Sequence, residues 1–351
     1  MELNIKIRSR GKRAPSLAAL VLVVVAVVLI SGCNSIAPKD NRPPAPPLAL
    51  TGSILDVHDP SSIVKDGKLY YLFSTGQNIP IHCSSDLHDW KDCGSVFTTW
   101  PAWVVTDIPA ADSIWAPDIS YYDGSYHLYY AVSTFGSNRS DIGLLTNATL
   151  DAKSPVYRWV DQGKVIQSTP SDNWNAIDPN LVLDADGQPW LAFGSFWGGL
   201  KLVKIDPATG KPDRGAQIYS IAQRPEAPDA IEASFIIHRK GYYYLFASFD
   251  FCCRGSDSTY NIRVGRSKAI TGPYVDERGV PLMDGGGTPI AESGPRWRGP
   301  GGESVFHEND DSWWLIYHTY DATLAGTPTL RISPLVWNGA GWPRPVTSVA
   351  W

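Results

Sequence analysis

Three acidic residues, far apart in the chain, each precede a short apolar stretch. They are Asp59 in "HDPSSIV", Asp178 in "NAIDPNLV" and Glu232 in "IEASFI". Two carboxyl groups that flank a glycosidic bond can hydrolyse it, because a protonated one donates to the leaving oxygen while an ionised one activates water or attacks directly. A third carboxylate can raise the pKa of the acid by like-charge repulsion. The three residues therefore predict glycoside hydrolysis, provided that the fold brings them together.

Five similar segments could supply that fold. Each has a small or acidic residue, a short strand, a tight polar turn and an aromatic-rich strand, and their starts lie 54 to 70 residues apart. Asp-Gly in "VKDGKLYY" and "YYDGSYHLYY" favours type I′ hairpin turns. Each unit has room for about four strands. The pattern predicts an all-β, five-bladed β-propeller. A β-sandwich or barrel is the alternative, but neither predicts five similar hairpins at this spacing.

Equivalent positions on the innermost strands of a propeller surround one axis. Aligned by hand on their turns, with a slip of one residue in the third, fourth and fifth units, the five units place at the position before Pro60 the residues Asp59, Ala116, Asp178, Glu232 and Gly302. One such acid is commonly a cap at the start of a strand. Three like charges near an axis cost stability, however, and Ser or Asn would serve a structural role better. The three carboxylates are therefore predicted to be functional and to lie at the mouth of the central channel.

Other side chains are expected near the same mouth. The register seven residues past each turn holds four small residues and one imidazole, namely Ser74, Ala131, Gly194, Ser248 and His318. The histidine is either a hydrogen-bonded core residue or a ligand. Aromatic side chains suited to the apolar faces of sugars are Trp115, Phe135, Phe196 and Trp197. Taken singly, each of these aromatics is more typical of a core.

Residues 1–32 are predicted to be a lipoprotein signal peptide. A basic start precedes the uninterrupted apolar run 17–30, which is shorter than the roughly 20 residues that span a bilayer but typical of an export signal. "LISGC" is similar to the lipobox, in which the cysteine, here Cys33, is lipidated and becomes the new N-terminus. An ordinary signal peptide is the alternative. Residues 33–52 would then be the lipidated N-terminus and a Pro-rich tether, and residues 53–351 the propeller hydrolase domain.

The net charge of the chain limits the kinds of partner it is expected to bind. The predicted signal peptide holds five basic residues and one acidic residue, so its removal lowers the formal net charge from −5 to −9. An acidic exported chain without a basic patch is not expected to bind nucleic acid. Membrane contact is expected through the lipid only, at the outer membrane or cell surface, and no protein partner is implied.

Disulfides are possible after export, and the pairing of Cys83, Cys93, Cys252 and Cys253 stays open.

Six segments in order resemble glycoside hydrolase family 43, specifically its endo-1,5-α-L-arabinanases. They are "HDPSSIVKDGKLYYLFSTG", "SIWAPDISYYDGSYHLYYAVSTFGSNRSDIGL", "NAIDPNLV", "GSFWGGLKL", "IEASFI" and "FDFCCRG…STYNIRVGRS". Short Asp-Pro motifs are weak alone, whereas the ordered set with its double cysteine is specific. The resemblance runs from about Leu55 to Pro345.

The resemblance implies hydrolysis of arabinan by single displacement with inversion. Asp59 matches the general base, Glu232 the general acid and Asp178 the residue that tunes the pKa of the acid and orients it. A water must fit between the base and the acid, so their carboxyl groups should be about 6.5–9.5 Å apart. Substrate contacts are implied for Asp59, Trp115, Phe135, Asn175, Ala176, Ile177, Asp178, Ser195, Phe196 and Trp197.

The resemblance also implies a metal in the central channel. His318 in "IYHTYD" matches a metal-binding histidine, and the metal is usually assigned as calcium, with water completing its shell. A single nitrogen ligand is unusual for this oxygen-seeking cation.

Three other functions are considered. An exo-acting α-L-arabinofuranosidase or β-xylosidase of the same family would need a blocked pocket in place of an open cleft. A non-catalytic glycan-binding propeller predicts the loss of at least one acid, and all three are present. A retaining fructan-type hydrolase would have Arg-Asp-Pro where this chain has Ile177-Asp178-Pro179.

Overall fold

Each of the five repeat units forms its own sheet. The structure, a computed structural model, describes residues 46–308 and 312–344. The first sheet contains β1 (Thr51–Gly52), β2 (Val64–Asp66), β3 (Leu69–Phe73), β4 (Pro80–Ser84) and β5 (Asp89–Ser95). The second contains β6 (Trp115–Tyr122), β7 (Ser125–Val132), β8 (Ser140–Asn147) and β9 (Val160–Ser168). The third contains β10 (Asn180–Leu183), β11 (Pro189–Phe193), β12 (Leu200–Lys204) and β13 (Ile218–Ala222).

The last two sheets follow the same plan. The fourth contains β14 (Ile231–Arg239), β15 (Tyr242–Phe249), β16 (Asn261–Ser267) and β17 (Thr288–Ala291). The fifth contains β18 (Trp297–His307), β19 (Trp313–Asp321) and β20 (Thr327–Pro334). Sequential strands pair antiparallel, and only β1, which runs parallel to β5, departs from the meander among the described strands. The five-bladed β-propeller is confirmed, and the sandwich or barrel alternative is wrong.

Helical turns are confined to connections. They are α1 (Ala102–Asp107) and the 3₁₀ turns Gly255–Asp257, Leu282–Asp284 and Ala322–Leu324. Over the described part of the chain, no helix combines the length and the apolar character that crossing a bilayer requires.

Residues 48–55 close the ring. The N–H of Leu48 donates to Ile332 O, and the N–H of Leu330 donates to Ile54 O, both at 2.8 Å. These bonds occupy the edge of β20, while β1 in the same segment pairs with β5 of the first sheet. An exposed strand edge can pair with another chain, so this segment covers the edge and joins the first and last sheets.

Hydrogen bonds also tie the innermost strands to one another around the axis. The carboxylate of Asp118 in the second sheet accepts from the side-chain amide of Asn180 and from the N–H of Leu181, both at 3.0 Å. Asn180 Oδ1 accepts in turn from the N–H of Ile236 in the fourth sheet, at 2.8 Å. These contacts hold three adjacent strand starts in register, and the strand starts carry the candidate site.

The core lies between neighbouring sheets. In β3, Tyr71 and Phe73 pack in the cluster shared with the second sheet, whereas Tyr70 and Leu72 pack in the cluster shared with the fifth. Successive side chains of a strand point to opposite faces, so a strand between two other sheets buries both faces. This explains why the second strand of each unit is a continuous aromatic-rich run.

Candidate active site

A residue with left-handed backbone lies in every unit either just ahead of the inner strand, in the first and third units, or within it, in the other three. These residues and their φ angles are Asp59 (45°), Ala116 (38°), Asp178 (55°), Ala233 (53°) and Gly302 (56°). Four match the hand alignment, but the fourth unit does not, because Glu232 lies one residue before this position. The hairpin of the fourth unit has the same length as those of the first and second units, so the one-residue slip assumed there was wrong.

Asp59 is held as an anion by neighbouring donors. Its Oδ2 accepts from His58 Nδ1 at 2.7 Å and from Thr75 Oγ1 at 2.8 Å. Burial would raise the pKa of Asp59, but the charge and hydrogen bond of His58, with contributions from His318 and Thr75, hold it well below its usual range. Gly302 passes so close that a Cβ there would overlap Asp59 Oδ1. Asp59 is therefore suited to accept a proton.

Glu232 has the opposite tendency. Its side chain is buried, and its carboxyl accepts from Ser195 Oγ at 2.7 Å and from the hydroxyl of Tyr260. Burial raises the pKa of Glu232 to about 7; the hydrogen bond from Ser195 opposes this shift and the charge of Asp59 adds to it. A carboxyl with this pKa holds a proton near neutrality and is suited to donate it.

Asp178 connects the other two carboxyls. Its Oδ2 accepts from the N–H of Ala233, the residue after Glu232, at 2.9 Å. Burial raises the pKa of Asp178 well above its usual range, and the charges of Glu232 and then Asp59 raise it further. Asp59 and Asp178 also line one central channel of about 40 Å³. The fold thus brings the three predicted carboxyls into one electrostatic field, despite their separation in sequence.

A cleft of about 540 Å³ lies beside these carboxyls. The predicted residues on its wall are Trp115, Phe135, Asn175, Ile177, Ser195, Phe196, Trp197 and Glu232. The side chains of Phe135 and Trp197 are 81% and 40% exposed, so both are available to a ligand. Three predicted contact residues are not on this wall. Asp59 and Asp178 line the central channel instead. Ala176 is wholly buried in the apolar cluster between the second and third sheets, so its side chain does not reach the cleft as the resemblance implied.

Comparison with known proteins identifies the family. Residues 53–343 match the family described as Glycosyl hydrolases family 43. The chain belongs to this family. The extracellular endo-α-(1→5)-L-arabinanase 1 of Bacillus subtilis (strain 168) is 46% identical over 292 residues, which is 82% of this chain and 87% of that protein. The extracellular exo-α-(1→5)-L-arabinofuranosidase ArbA of Cellvibrio japonicus is 44% identical over 85% of this chain and 88% of that protein.

Solved structures of family 43 proteins have the same fold. The GH43 endo-arabinanase from Bacillus licheniformis has a TM-score of 0.79 and 46% identity, covering 85% of this chain and 99% of that one. The Cellvibrio cellulosa α-L-arabinanase complexed with arabinohexaose has a TM-score of 0.80 and 43% identity, covering 83% of this chain and 96% of that one.

Two residues at the centre of this family 43 domain were missed in the sequence. His58 bonds to Asp59, and its position directly before the acid was the available signal. Glu303 is buried, and its Oε2 accepts from Ser248 Oγ at 2.6 Å. Burial raises the pKa of Glu303 to about 8, and the charges of Asp59 and Glu232 contribute. Glutamate at a position that is proline in the first three units was the signal for this residue.

The cleft wall includes other residues that were not singled out. Thr134, Phe251 and Arg254 lie on it, with the Arg254 guanidinium 4.3 Å from the centroid of the Phe251 ring. The adjacent Cys252 and Cys253 lie there too and are bonded to each other. The other disulfide joins Cys83 and Cys93, which resolves the open pairing.

His318 is the candidate metal ligand. Burial, followed by the charge of His58, holds its pKa well below the usual range, so the ring is neutral. Its Nδ1 accepts from the N–H of Asp59 at 3.2 Å, whereas its buried Nε2 has no hydrogen-bond partner among the described residues. Ligand atoms of His58, Asp59 and His318 lie within 4.8 Å of one another. The cluster is compatible with a cation, but His58 and Asp59 are already hydrogen-bonded to each other.

Proposed function

We propose that this protein hydrolyses internal 1,5-α-L-arabinofuranosidic linkages of arabinan by single displacement with inversion. The observation that carries the proposal is the opposite tuning of two carboxyls in one site. Asp59 is held ionised by His58 and Thr75, whereas the pKa of Glu232 is raised to about 7. A general base and a general acid with separated pKa values are what an inverting glycosidase requires.

Each carboxyl then has one task. Glu232 gives its proton to the glycosidic oxygen as the bond from that oxygen to the anomeric carbon breaks. Asp59 takes a proton from the water whose oxygen attacks the anomeric carbon from the opposite face. Asp178 accepts from the N–H of Ala233 and so orients the peptide that carries Glu232. Like-charge repulsion between the Asp178 and Glu232 carboxyls disfavours ionisation of both, so one proton stays in this pair. The carboxyl separation of about 6.5–9.5 Å between Asp59 and Glu232 stays a prediction.

Cleft aromatics should contribute to substrate affinity more than to the chemical step. Trp197→Ala and Phe135→Ala are each expected to raise KM for linear arabino-oligosaccharides about 3- to 10-fold, because a lost aromatic contact is worth about 0.5–1.5 kcal/mol. They should leave kcat nearly unchanged, since stacking stabilises ground and transition states alike. Tyr121→Ala, which alters a 57% exposed aromatic outside the cleft wall, is the matched control. A fall in kcat at constant KM would contradict this role.

Endo action is tested with debranched arabinan. An endo enzyme lowers the viscosity early, when few reducing ends have formed, whereas an exo enzyme releases reducing ends with little change in viscosity. The exo-acting alternative is supported by the 44% identity to the Cellvibrio japonicus protein, and the 46% identity to the Bacillus subtilis endo-arabinanase supports the endo proposal. Viscosity that falls only in proportion to reducing ends would favour exo action.

We further propose a calcium ion at His318. The support is the neutral ring of His318 and two buried atoms without a hydrogen-bond partner among the described residues, namely its Nε2 and Oε1 of Glu303, a residue that lines the central channel. Ligation through Nε2 would move the ring proton to Nδ1 and end its hydrogen bond with the Asp59 N–H. A bound cation would favour the ionised form of nearby carboxyls.

Thermal unfolding tests the metal proposal. Calcium at 100 times its Kd is expected to stabilise the chelator-treated protein by about 2.7 kcal/mol, which raises Tm by several degrees. His318→Ala should abolish this shift. No calcium-dependent shift in the unaltered protein would contradict the proposal.

Export and lipid anchoring at Cys33 are also proposed. Two of the relatives are named as extracellular, and "LISGC" after the apolar run supports a lipidated cysteine. Residues 1–45 lie outside the described residues, so the signal peptide, Cys33 and most of the tether rest on sequence alone. Cys33→Ala is expected to move the protein from the membrane fraction to the soluble exported fraction. Lipidation would be contradicted if Cys33→Ala partitioned like the parent protein and the intact mass of the parent showed no lipid.

A further inference from the structure

The hydrogen bond between His58 and Asp59 has a defined direction. An ionised carboxylate can only accept hydrogen bonds. His58 Nδ1 lies 2.7 Å from Asp59 Oδ2, so this nitrogen must carry the proton. The hydrogen bond from Thr75 also has a defined direction. Its Oγ1 accepts from the Ala116 N–H at 2.8 Å, so its own hydrogen points to Asp59 Oδ2. Both donors converge on one oxygen of the carboxylate.

The opposite side of the His58 ring is also held. His58 Nε2 lies 2.7 Å from the hydroxyl of Tyr320, and that hydroxyl accepts from the N–H of Cys253 at 2.8 Å. A main-chain amide can only donate, so it occupies a lone pair of the Tyr320 oxygen. The Tyr320 hydroxyl thus contacts the His58 ring on the side away from Asp59, and the Cys253 amide fixes the position of that hydroxyl. The ring orientation that lets Nδ1–H donate to Asp59 is therefore held from the other end of a continuous chain of hydrogen bonds.

The contacts leave the two oxygens of Asp59 in different environments. Oδ2 takes both hydrogen bonds, whereas Oδ1 takes none from the described residues and faces Gly302, where a side chain would collide with it. Donors that hold a carboxylate by one oxygen set the direction in which the other oxygen points. Misplacement by about 1 Å can cost about 100-fold in rate.

We propose that His58 is a positioning residue for the base, its ring held in orientation by the Tyr320 hydroxyl and the Cys253 amide so that Nδ1–H donates to Asp59 Oδ2 and Oδ1 is presented to the attacking water. The inference rests on the proposed function, since it assigns the proton-accepting role to Asp59. Tyr320 is buried in β19, and its ring packs edge-on against His318 at 5.2 Å between centroids. This chain of hydrogen bonds therefore extends from Cys253 on the cleft wall, through Tyr320 of the fifth sheet and His58, to the Asp59 carboxylate in the first unit.

A purely structural role for His58 is the competing explanation. Its ring stacks on His318 at 3.9 Å between centroids, so removing the ring alters packing as well as hydrogen bonding. Two substitutions separate these effects. His58→Asn loses the stacked ring but keeps an amide N–H close to the position of Nδ1, and Tyr320→Phe keeps both rings while removing the hydroxyl.

The experiment compares kcat and KM on linear α-1,5-arabinan for His58→Ala, His58→Asn and Tyr320→Phe, with Tm recorded for each. His58→Ala is expected to lower kcat about 100-fold and to change KM less than 3-fold. His58→Asn should recover kcat to within about 10-fold of the parent, and Tyr320→Phe should lose about 3- to 10-fold in kcat. Tyr317→Phe removes a buried hydroxyl of the same strand that bonds to Ser333, and it should leave kcat unchanged.

The outcomes distinguish this inference from the proposed function. If the parent does not cleave arabinan, or Asp59→Asn keeps its activity, the proposed function fails and the inference fails with it. If both behave as expected, the inference alone is overturned by either of two results: kcat in Tyr320→Phe and His58→Asn equal to that of the parent, or His58→Asn no better than His58→Ala in folded protein. Should His58→Ala not fold, the Tyr320→Phe and His58→Asn values decide.

Discussion

Replacing Glu232 by glutamine lowers kcat on linear α-1,5-arabinan by about 10²- to 10⁴-fold, the range that loss of a general acid produces. Glutamine keeps the size of the side chain; Ser195 and Tyr260 donate to separate oxygens of the carboxyl in the parent, so the glutamine oxygen can accept from one of these hydroxyls and its NH2 can donate to the other. It cannot give a proton to the leaving oxygen. The measurement is the initial rate of reducing-end release, with Tm recorded to confirm folding.

The leaving group provides the control for this variant. An aryl arabino-oligoside that releases a weakly basic phenolate needs no proton from the enzyme, so Glu232→Gln should retain most of its rate on that substrate. Equal losses on arabinan and on the activated substrate would show that Glu232 does not act as the acid.

The same residue sets the alkaline limb of activity. The pKa of Glu232 is raised to about 7, principally by burial, so a rise in pH through 7 removes the proton that must be donated. We expect kcat/KM of the parent enzyme to fall above about pH 7, and Glu232→Gln, assayed on the activated substrate, to lose this fall. If kcat/KM of the variant still fell above about pH 7, the fall would have to come from another ionisable group.

Replacing Asp59 by asparagine is expected to lower kcat by a similar factor, about 10²- to 10⁴-fold, with little change in KM. Asparagine occupies the same space but cannot take a proton from water. Unlike Glu232→Gln, this variant should stay slow on the activated aryl substrate, because water must still be activated whatever group leaves.

Asp66→Asn is the matched control for that variant. Asp66 accepts from Thr149 Oγ1 and from the N–H of Leu150, and it lies outside the cleft wall. Its replacement should lower Tm and leave kcat unchanged. Full activity of Asp59→Asn on arabinan would remove the base from the proposed mechanism.

Much of the fold was predictable because its signals are local. Tight polar turns, three of them with Asp-Gly, and aromatic-rich second strands recur in the five units, and β3 shows how such a strand is buried on both faces between sheets. The register of individual residues depends on hairpin length, which a hand alignment sets poorly. Glu232 was therefore placed at the left-handed position that Ala233 occupies. The acid still reaches the site, because the side chain of Glu232, one residue earlier, lies on the cleft wall.

The candidate site was predictable where residue type alone identified the chemistry. Asp59, Asp178 and Glu232 were found as departures from a repeat, and His318 in the same way. His58 and Glu303 were missed because their roles depend on hydrogen bonds from Tyr320 and Ser248, which are distant in sequence. Ala176 shows the converse, since a matched motif does not reveal which of its side chains point into the core.

Proton NMR of fresh product from linear α-1,5-arabinan, with Glu232→Ala as the inactive control, tests the central claim most directly. The account predicts that β-arabinofuranose ends form first and mutarotate later, because one displacement by water inverts the anomeric carbon. Initial α-arabinofuranose ends, or full activity in the Glu232→Ala protein, would contradict it.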